Sequence, residues 1–506
     1  MLSELSPQTL SITLPSTSAL LVSGGDTRIV LDPVSGLSMY GCRPYPDPDL
    51  VALGSSTASV ISEAGIAASS ALRQTCLDQL QHQSPISVYA THVERLRSEL
   101  LLLCGFSRAD GVNVVLAASG TDLHLLTAQW LRPQRTVMIM PTETGSGLPA
   151  AVQGQHFNRR SACGGAVPIG TLVSDWQGDL FTLSARAADG TLHDCARVDA
   201  ECIARVTEAA EAGQQVLLIL TDVSKTGLMV PSIETVLALK RRWQTQVEVL
   251  VDACQFRLSA KTIRAYISQN WMVALTGSKF IAGPTFSGAL IIPPATATRY
   301  RDSALHPGAR AYSSAADWPL GWLAGRSLLA NPNFGLLLRW EAAITELRSF
   351  CAVPEPCITA FLRRFAKAVH ERLARDACFE ALPVPVLCRR ALCNEEEQQR
   401  WDTEQTIFSF LLHVPDGRAG RRLLSRAETE RLHQVLRIPG ADSGTRRFQL
   451  GQPVPCGNRE GVPISALRLC VSAPMIVAAC ADAGADATIA DAISALDKIS
   501  HILLAI

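Results

Sequence analysis

Between about residues 110 and 293 the chain alternates short apolar runs with amphipathic stretches, and no other feature constrains its fold as strongly. The runs "VNVVLAAS", "TVMIMP", "QQVLLILTD", "VEVLVDAC", "MVALTGS" and "SGALIIP" read as strands. Between them, "TDLHLLTAQWLR", "DAECIARVTEAAEAG", "SIETVLALKRRWQ" and "AKTIRAYISQN" read as helices, one opened by a serine cap and one closed by a glycine. Apolar strands separated by amphipathic helices imply an α/β fold with a mostly parallel sheet covered on both faces.

With 506 residues the chain exceeds one ordinary core. Residues 1–65 read as an irregular arm, with strand-like pieces broken by glycine and proline. Residues 66–324 form the large domain. Residues 325–506 form a smaller α+β domain, with long helices first, then strand candidates "IFSFLLHVP", "TRRFQLGQPV" and "ISALRLCVSA", and a terminal amphipathic helix. The loop 300–322 interrupts the alternation, and its Tyr312 and Trp318 read as packing or dimer contacts.

Charge excludes some partners. Basic and acidic residues balance at 46 each, so nothing favours nucleic acid or an anionic membrane surface. The apolar runs are too short to span a bilayer, and the N-terminus lacks the basic and apolar regions of a secretion signal. A cytoplasmic protein is expected. Fifteen cysteines occur without paired spacing, which suggests reduced, mostly buried thiols and no metal-ligand set.

In open α/β sheets, ligands sit at the carboxyl ends of the strands. Four such ends here are polar: Ser119, Gly120 and Thr121; then Thr221, Asp222, Ser224 and Lys225; then Asp252 and Gln255; then Thr276, Ser278 and Lys279. The chain has only six lysines, so one kept at a strand end suggests amine chemistry that a guanidinium cannot perform. A helix opening at Ser119–Thr121 suits a phosphate. Asp252 could pair with a protonated heterocyclic nitrogen, and Lys279 could form an imine with an aldehyde. Phosphate, pyridinium and aldehyde together describe pyridoxal 5'-phosphate.

These residues, in this order, resemble the class V aminotransferase and cysteine desulfurase branch of fold-type I pyridoxal-phosphate enzymes. The resemblance covers about 110 to 293 well and the end of the chain more loosely. "LVDACQ" implies Asp252 on the pyridine nitrogen and Gln255 near the phenolic oxygen. "TGSKFIAGPTFSGAL" implies Lys279 as the Schiff-base lysine, with Thr276 and Ser278 on the phosphate. "ASGTD" resembles the phosphate loop, which implicates Ser119, Gly120 and Thr121, and Ser224 in "DVSKTG" is a further cofactor contact. "ALRLCVSAP" resembles the strand whose arginine binds a substrate carboxylate, which makes Arg468 the substrate residue. The resemblance also implies a homodimer.

The chain departs from the family at three places. Ser278 stands where a histidine is frequent. "MPTETGSG" offers no ring to stack on the cofactor, leaving Glu143, Thr144 or His156. Cys456, the cysteine nearest the arginine strand, lies in a context unlike a desulfurase loop. The expected function is therefore elimination, replacement or carbon–carbon bond formation on an amino acid, with aminotransferase as the alternative. Cysteine desulfuration and a non-catalytic role on this fold come behind. A nucleotide-binding enzyme of another kind is disfavoured, because "SGTD" lacks a GxGxxG run.

Overall fold

The structure is a computed structural model, and it describes residues 13–392, 400–415, 420–438, 446–481 and 484–505. Its larger sheet runs Asn113–Ala117, Gly288–Ile292, Met272–Thr276, Val247–Ala253, Val216–Asp222, Arg135–Ile139, Asp179–Leu183, with Met229–Val230 paired beside Val216–Asp222. The pairings from Met272–Thr276 across to Asp179–Leu183 are parallel, while Gly288–Ile292 runs antiparallel to both its neighbours. Every residue of Val216–Asp222, Val247–Ala253 and Met272–Thr276 is buried. Helices cover both faces of such strands, which explains why their sequences are continuous apolar runs and do not alternate.

The helices begin where the sequence supplies caps. Ser119, Ser232 and Ser259 each accept a hydrogen bond from a first-turn backbone N–H, opening Gly120–Leu131, Ile233–Arg242 and Ala260–Ser268. Lys240, Arg241 and Arg242 occupy the last turn of Ile233–Arg242, where cations favour the helix dipole. Asp179–Leu183 had no clear sequence signal: it lies at the sheet edge, and only Leu183 is fully buried.

A second sheet runs Leu50–Leu53, Arg447–Arg459, Val462–Cys470, Ile407–Pro415, Phe379–Ala381, with Arg421–Leu423 paired beside Ile407–Pro415. Leu50–Leu53 is the one strand formed from the N-terminal arm among the described residues, and it pairs in parallel with Arg447–Leu450. The helices Glu63–Leu80 and Pro85–Leu103 pack on Phe334–Cys351. The 300–322 loop packs inward: Trp318 meets Trp130 edge-on at 5.6 Å, and the Tyr312 hydroxyl lies 2.6 Å from His156 Nδ1. Among the described residues no helix is long and apolar enough to cross a membrane.

Candidate active site

The carboxyl ends of the central parallel strands open into a cavity of about 220 Å³. Ser119, Gly120, Thr121, Ser224, Asp252, Gln255, Thr276, Ser278, Lys279 and Arg468 all line it. The residues singled out from the sequence thus share one cavity wall, and their side chains use their hydrogen-bonding capacity in different ways.

At one end lies the start of the helix Gly120–Leu131. A Cβ at Gly120 would fall 2.8 Å from Cys254 Sγ and 3.3 Å from Thr276 Cγ2, so glycine lets the helix end press against the neighbouring strand ends. From the N-terminal arm, Arg28 brings Nη1 to 3.3 Å from Thr121 Oγ1 and Nη2 to 3.3 Å from Ser119 Oγ. Asp26 holds Arg28 at 2.6 Å, and the guanidinium sits 4.6 Å over the Phe286 ring. Free helix N–H groups, the Thr121 hydroxyl and a guanidinium make this end suited to a phosphate, while the Ser119 hydroxyl gives its proton to the buried Asp122 carboxylate at 2.5 Å. Nothing in the local sequence around Arg28 announced its place here.

Asp252 lies at the centre. One carboxylate oxygen accepts from the Cys254 N–H at 3.2 Å, and the other lies 3.7 Å from His124 Nε2. His124 Nδ1 sits 2.7 Å from the Gly120 carbonyl, which can only accept, so Nδ1 carries the proton. His124 was not singled out from sequence, being four residues into an apolar helix. Gln255 donates its amide to the Ser56 carbonyl at 3.0 Å and keeps Oε1 unpartnered. Thr276 donates to the Cys254 carbonyl at 2.6 Å, which leaves its oxygen able to accept. Lys279 is half-buried, and its carbonyl receives the Ser59 hydroxyl at 3.0 Å.

Ser224 belongs to a tight local network. Its hydroxyl donates to Glu143 Oε2 at 2.7 Å and accepts from the Thr226 and Leu228 backbone N–H groups. Thr226 donates to the same Glu143 oxygen at 2.7 Å, and Arg186 closes a buried ion pair with Glu143 Oε1 at 2.9 Å. This network presents Lys225 to the cavity. Burial, then Arg468 and Lys279, bring the Lys225 ammonium down to about 7, with Glu143 opposing.

Arg468 is buried, and its partners are neutral oxygens. It donates to Ser56 Oγ at 2.8 Å, Thr57 Oγ1 at 2.9 Å, the Lys225 carbonyl at 3.3 Å and the Gln452 carbonyl. Burial lowers its pKa, and no carboxylate pairs with it among the described residues. Glu143 and Thr144 line the cavity. His156 does not, because its ring stacks on Tyr312. The rings on the cavity wall are Tyr40, Phe286 and His124. Cys456 packs with Leu382, Leu411, Ile464 and Ala466, away from the cavity.

The fold has solved counterparts. The cysteine desulfurase CsdA from Escherichia coli superposes with a TM-score of 0.52 at 15% identity, covering 90% of this chain and 96% of that one. A cysteine desulfurase from Thermococcus onnurineus gives 0.54 at 13% identity, covering 90% and 96%. C-DES, solved as a mutant with glycine covalently linked to its pyridoxal-phosphate cofactor, gives 0.52 at 15%, covering 88% and 99%. This chain has the cysteine desulfurase fold. That is the fold-type I architecture expected from the ordered strand-end residues, here extending over nearly the whole chain. No protein-family profile matches the sequence, and no curated protein matches it.

Proposed function

We propose that this chain is a pyridoxal-phosphate-dependent enzyme that transforms an amino acid by elimination, replacement or carbon–carbon bond formation. The observation that carries the reading is the convergence of Lys279, Asp252 and the Ser119–Thr121 helix end on one cavity at the strand ends.

The residues present fit the cofactor. Gln255 Oε1, His124 Nε2, Thr144 Oγ1 and Thr221 Oγ1 are buried on the cavity wall without partners, as groups awaiting a polar ligand would be. Ser119, Gly120, Thr121, Thr276, Ser278 and Arg28 would hold the phosphate, Asp252 the ring nitrogen, Gln255 the phenolic oxygen, and Lys279 the carbonyl carbon. When bound, the cofactor supplies a ring that accepts electron density from the substrate α-carbon. On this reading Arg468 is the anchor for the substrate carboxylate, which would take over N–H groups now given to the Ser56, Thr57, Lys225 and Gln452 oxygens and so fix which α-carbon bond faces the ring. Lys279 Nζ would also be the group placed to move a proton at the substrate α-carbon. Asp252, fixed by the Cys254 N–H, holds the proton on the ring nitrogen.

Sulfur abstraction finds less support. Among the described residues lining the cavity the one cysteine is Cys254, and burial, followed by Asp252, pushes its thiol well above the ordinary range. A nucleophilic thiolate needs the opposite shift. Against transamination stands a wall drawn from specialised segments: the 143–148 loop, Ser56 and Thr57 of the arm, and Gln452–Val454 of the second sheet. The working unit on this reading is a homodimer, and light scattering that found an active monomer would overturn that part.

The test is direct. The purified protein should absorb in the visible, and borohydride followed by peptide mapping should find the cofactor on Lys279. A label on Lys225 or Lys261 would overturn the assignment. A panel of amino acids, followed by mass analysis of the products with and without a keto acid, separates lyase chemistry from amino-group transfer.

A further inference from the structure

The charges of the cavity do not balance, and the surplus is localised. Arg28, Lys225, Lys279 and Arg468 line it, against Glu143 and Asp252. Arg28 is paired with Asp26, and Glu143 is paired with Arg186. On the reading above, Lys279 is committed to the cofactor, Asp252 to its ring, and Arg468 to the substrate α-carboxylate. Lys225 is left over. Among the described residues its ammonium has neither a carboxylate within ion-pair distance nor a hydrogen-bond acceptor, and the half-buried side chain faces the cavity.

Lys225 is also held in place. Its N–H donates to the Glu143 carbonyl at 2.9 Å, and the hydroxyls on either side of it, Ser224 and Thr226, are both fixed on Glu143. Arg468 Nη1 donates to the Lys225 carbonyl at 3.3 Å, which keeps the two residues neighbours on the same side of the cavity. Two cations without counter-ions, on backbone segments held side by side, form a receptor for two anionic groups on one small ligand.

We infer that Lys225 receives a second anionic group of the substrate, which is therefore an amino acid whose side chain carries a carboxylate or an equivalent acid. The inference rests on reading the cavity as an amino-acid site. The surroundings of Lys225 give it a signature. Arg468 on the strand Val462–Cys470, Lys279 after Met272–Thr276, and Glu143 on the 143–148 loop are the charged groups acting on it, and Glu143 is already neutralised by Arg186. Burial, then Arg468 and the Lys279 ammonium, bring the Lys225 ammonium down to about 7. An anion docked against it raises that value, so binding above neutrality draws a proton from solvent.

Calorimetry on the purified protein with its cofactor tests this, using glutamate and aspartate against glutamine and asparagine as neutral isosteres. The acids should bind at least about tenfold more tightly than the amides, as expected for a charge-assisted contact. At pH 8 their binding enthalpy should vary with the ionisation heat of the buffer, reporting proton uptake. Lys225→Met should bring the preference to about one and abolish the uptake. Lys225→Arg, which cannot lose its charge, should keep a preference and lose the uptake. Acids that bind no better than amides, or a preference that survives intact in Lys225→Met, would overturn the inference. If Lys225→Met does not fold, uptake persisting in Lys225→Arg overturns it instead. A protein with no visible absorbance and no borohydride label would defeat the cofactor reading itself, an outcome distinct from a labelled holoprotein that binds acids no better than amides, which defeats only the role of Lys225.

Discussion

Glu143 and Arg186 form an ion pair buried on both sides, 2.9 Å from Oε1 to Nε, beneath the loop that presents Lys225. Arg186 also donates to Thr226 Oγ1 at 3.0 Å and to the Gly190 carbonyl at 3.1 Å. Arg186→Ala would leave the Glu143 carboxylate in the interior with only the Ser224 and Thr226 hydroxyls as partners. Breaking one side of a buried pair costs about 3–5 kcal/mol. The variant should therefore show a lower denaturation midpoint, and replacing both residues by apolar ones of similar size should recover much of the loss. If Arg186→Ala melts with the parent, the pair contributes nothing to holding the loop.

Arg468→Lys probes the proposed carboxylate grip. Lysine keeps the charge and loses the planar fork. Losing a desolvated, charge-assisted contact of this kind should cost about 2–4 kcal/mol of transition-state stabilisation, roughly a 30- to 1000-fold fall in kcat/KM. The visible spectrum without substrate should barely change. Loss of cofactor would instead assign Arg468 to holding the arm, where it already binds Ser56 and Thr57.

Gly120→Ala tests the phosphate end. The new methyl would sit 2.8 Å from Cys254 Sγ and 3.3 Å from Thr276 Cγ2, so either the helix end retreats or the strand-end wall gives way. Cofactor affinity should fall by about tenfold or more, since the helix N–H groups lose their aim. Equilibrium titration of the apoprotein with pyridoxal phosphate measures it, and unchanged affinity would remove the helix end from the phosphate site.

Lys225 should also leave a mark on stability. Its folded pKa, about 7, lies below the ordinary 10.5 of a free lysine. Between these values the unfolded chain binds a proton that the folded one does not, so stability rises with pH over that window and is independent of this group below it. The unliganded parent should gain stability relative to Lys225→Met as pH rises from 7 towards 10. Parallel pH profiles for the two proteins would mean that Lys225 is not desolvated.

Much of this site was legible in the sequence because its parts are local. The run "VEVLVDACQ" puts Asp252 at a strand end and Gln255 three residues on, and both face the cavity. Lys279 follows its strand just as closely. Three contributions were not legible, each for a physical reason. Arg28 reaches Thr121 across 93 residues of sequence, from an arm without periodicity. His124 sits in a helix so thoroughly buried that its polar residue has no contrasting face to mark it. Ser224 reads as a cavity hydroxyl, yet its donor capacity is taken by Glu143, 81 residues earlier, and the neighbouring lysine is the residue presented. The same limit hid Asp179–Leu183, whose edge position spares it the buried run that identifies its neighbours.

The short strand Leu50–Leu53 is hydrogen-bonded into the second sheet, and Ser56 and Thr57 follow it directly. Arg468, on the same sheet, takes both of their hydroxyls. Any rocking of that sheet against the larger one would carry donor and acceptors together as one body. The guanidinium would then keep its Ser56, Thr57 and Gln452 oxygens throughout the stroke, while the bonds that join the two sides, Arg468 to the Lys225 carbonyl, Gln255 to the Ser56 carbonyl and Ser59 to the Lys279 carbonyl, would be the ones that stretch. Those bonds tie the carboxylate anchor and the lysine strand end to one another across the cavity.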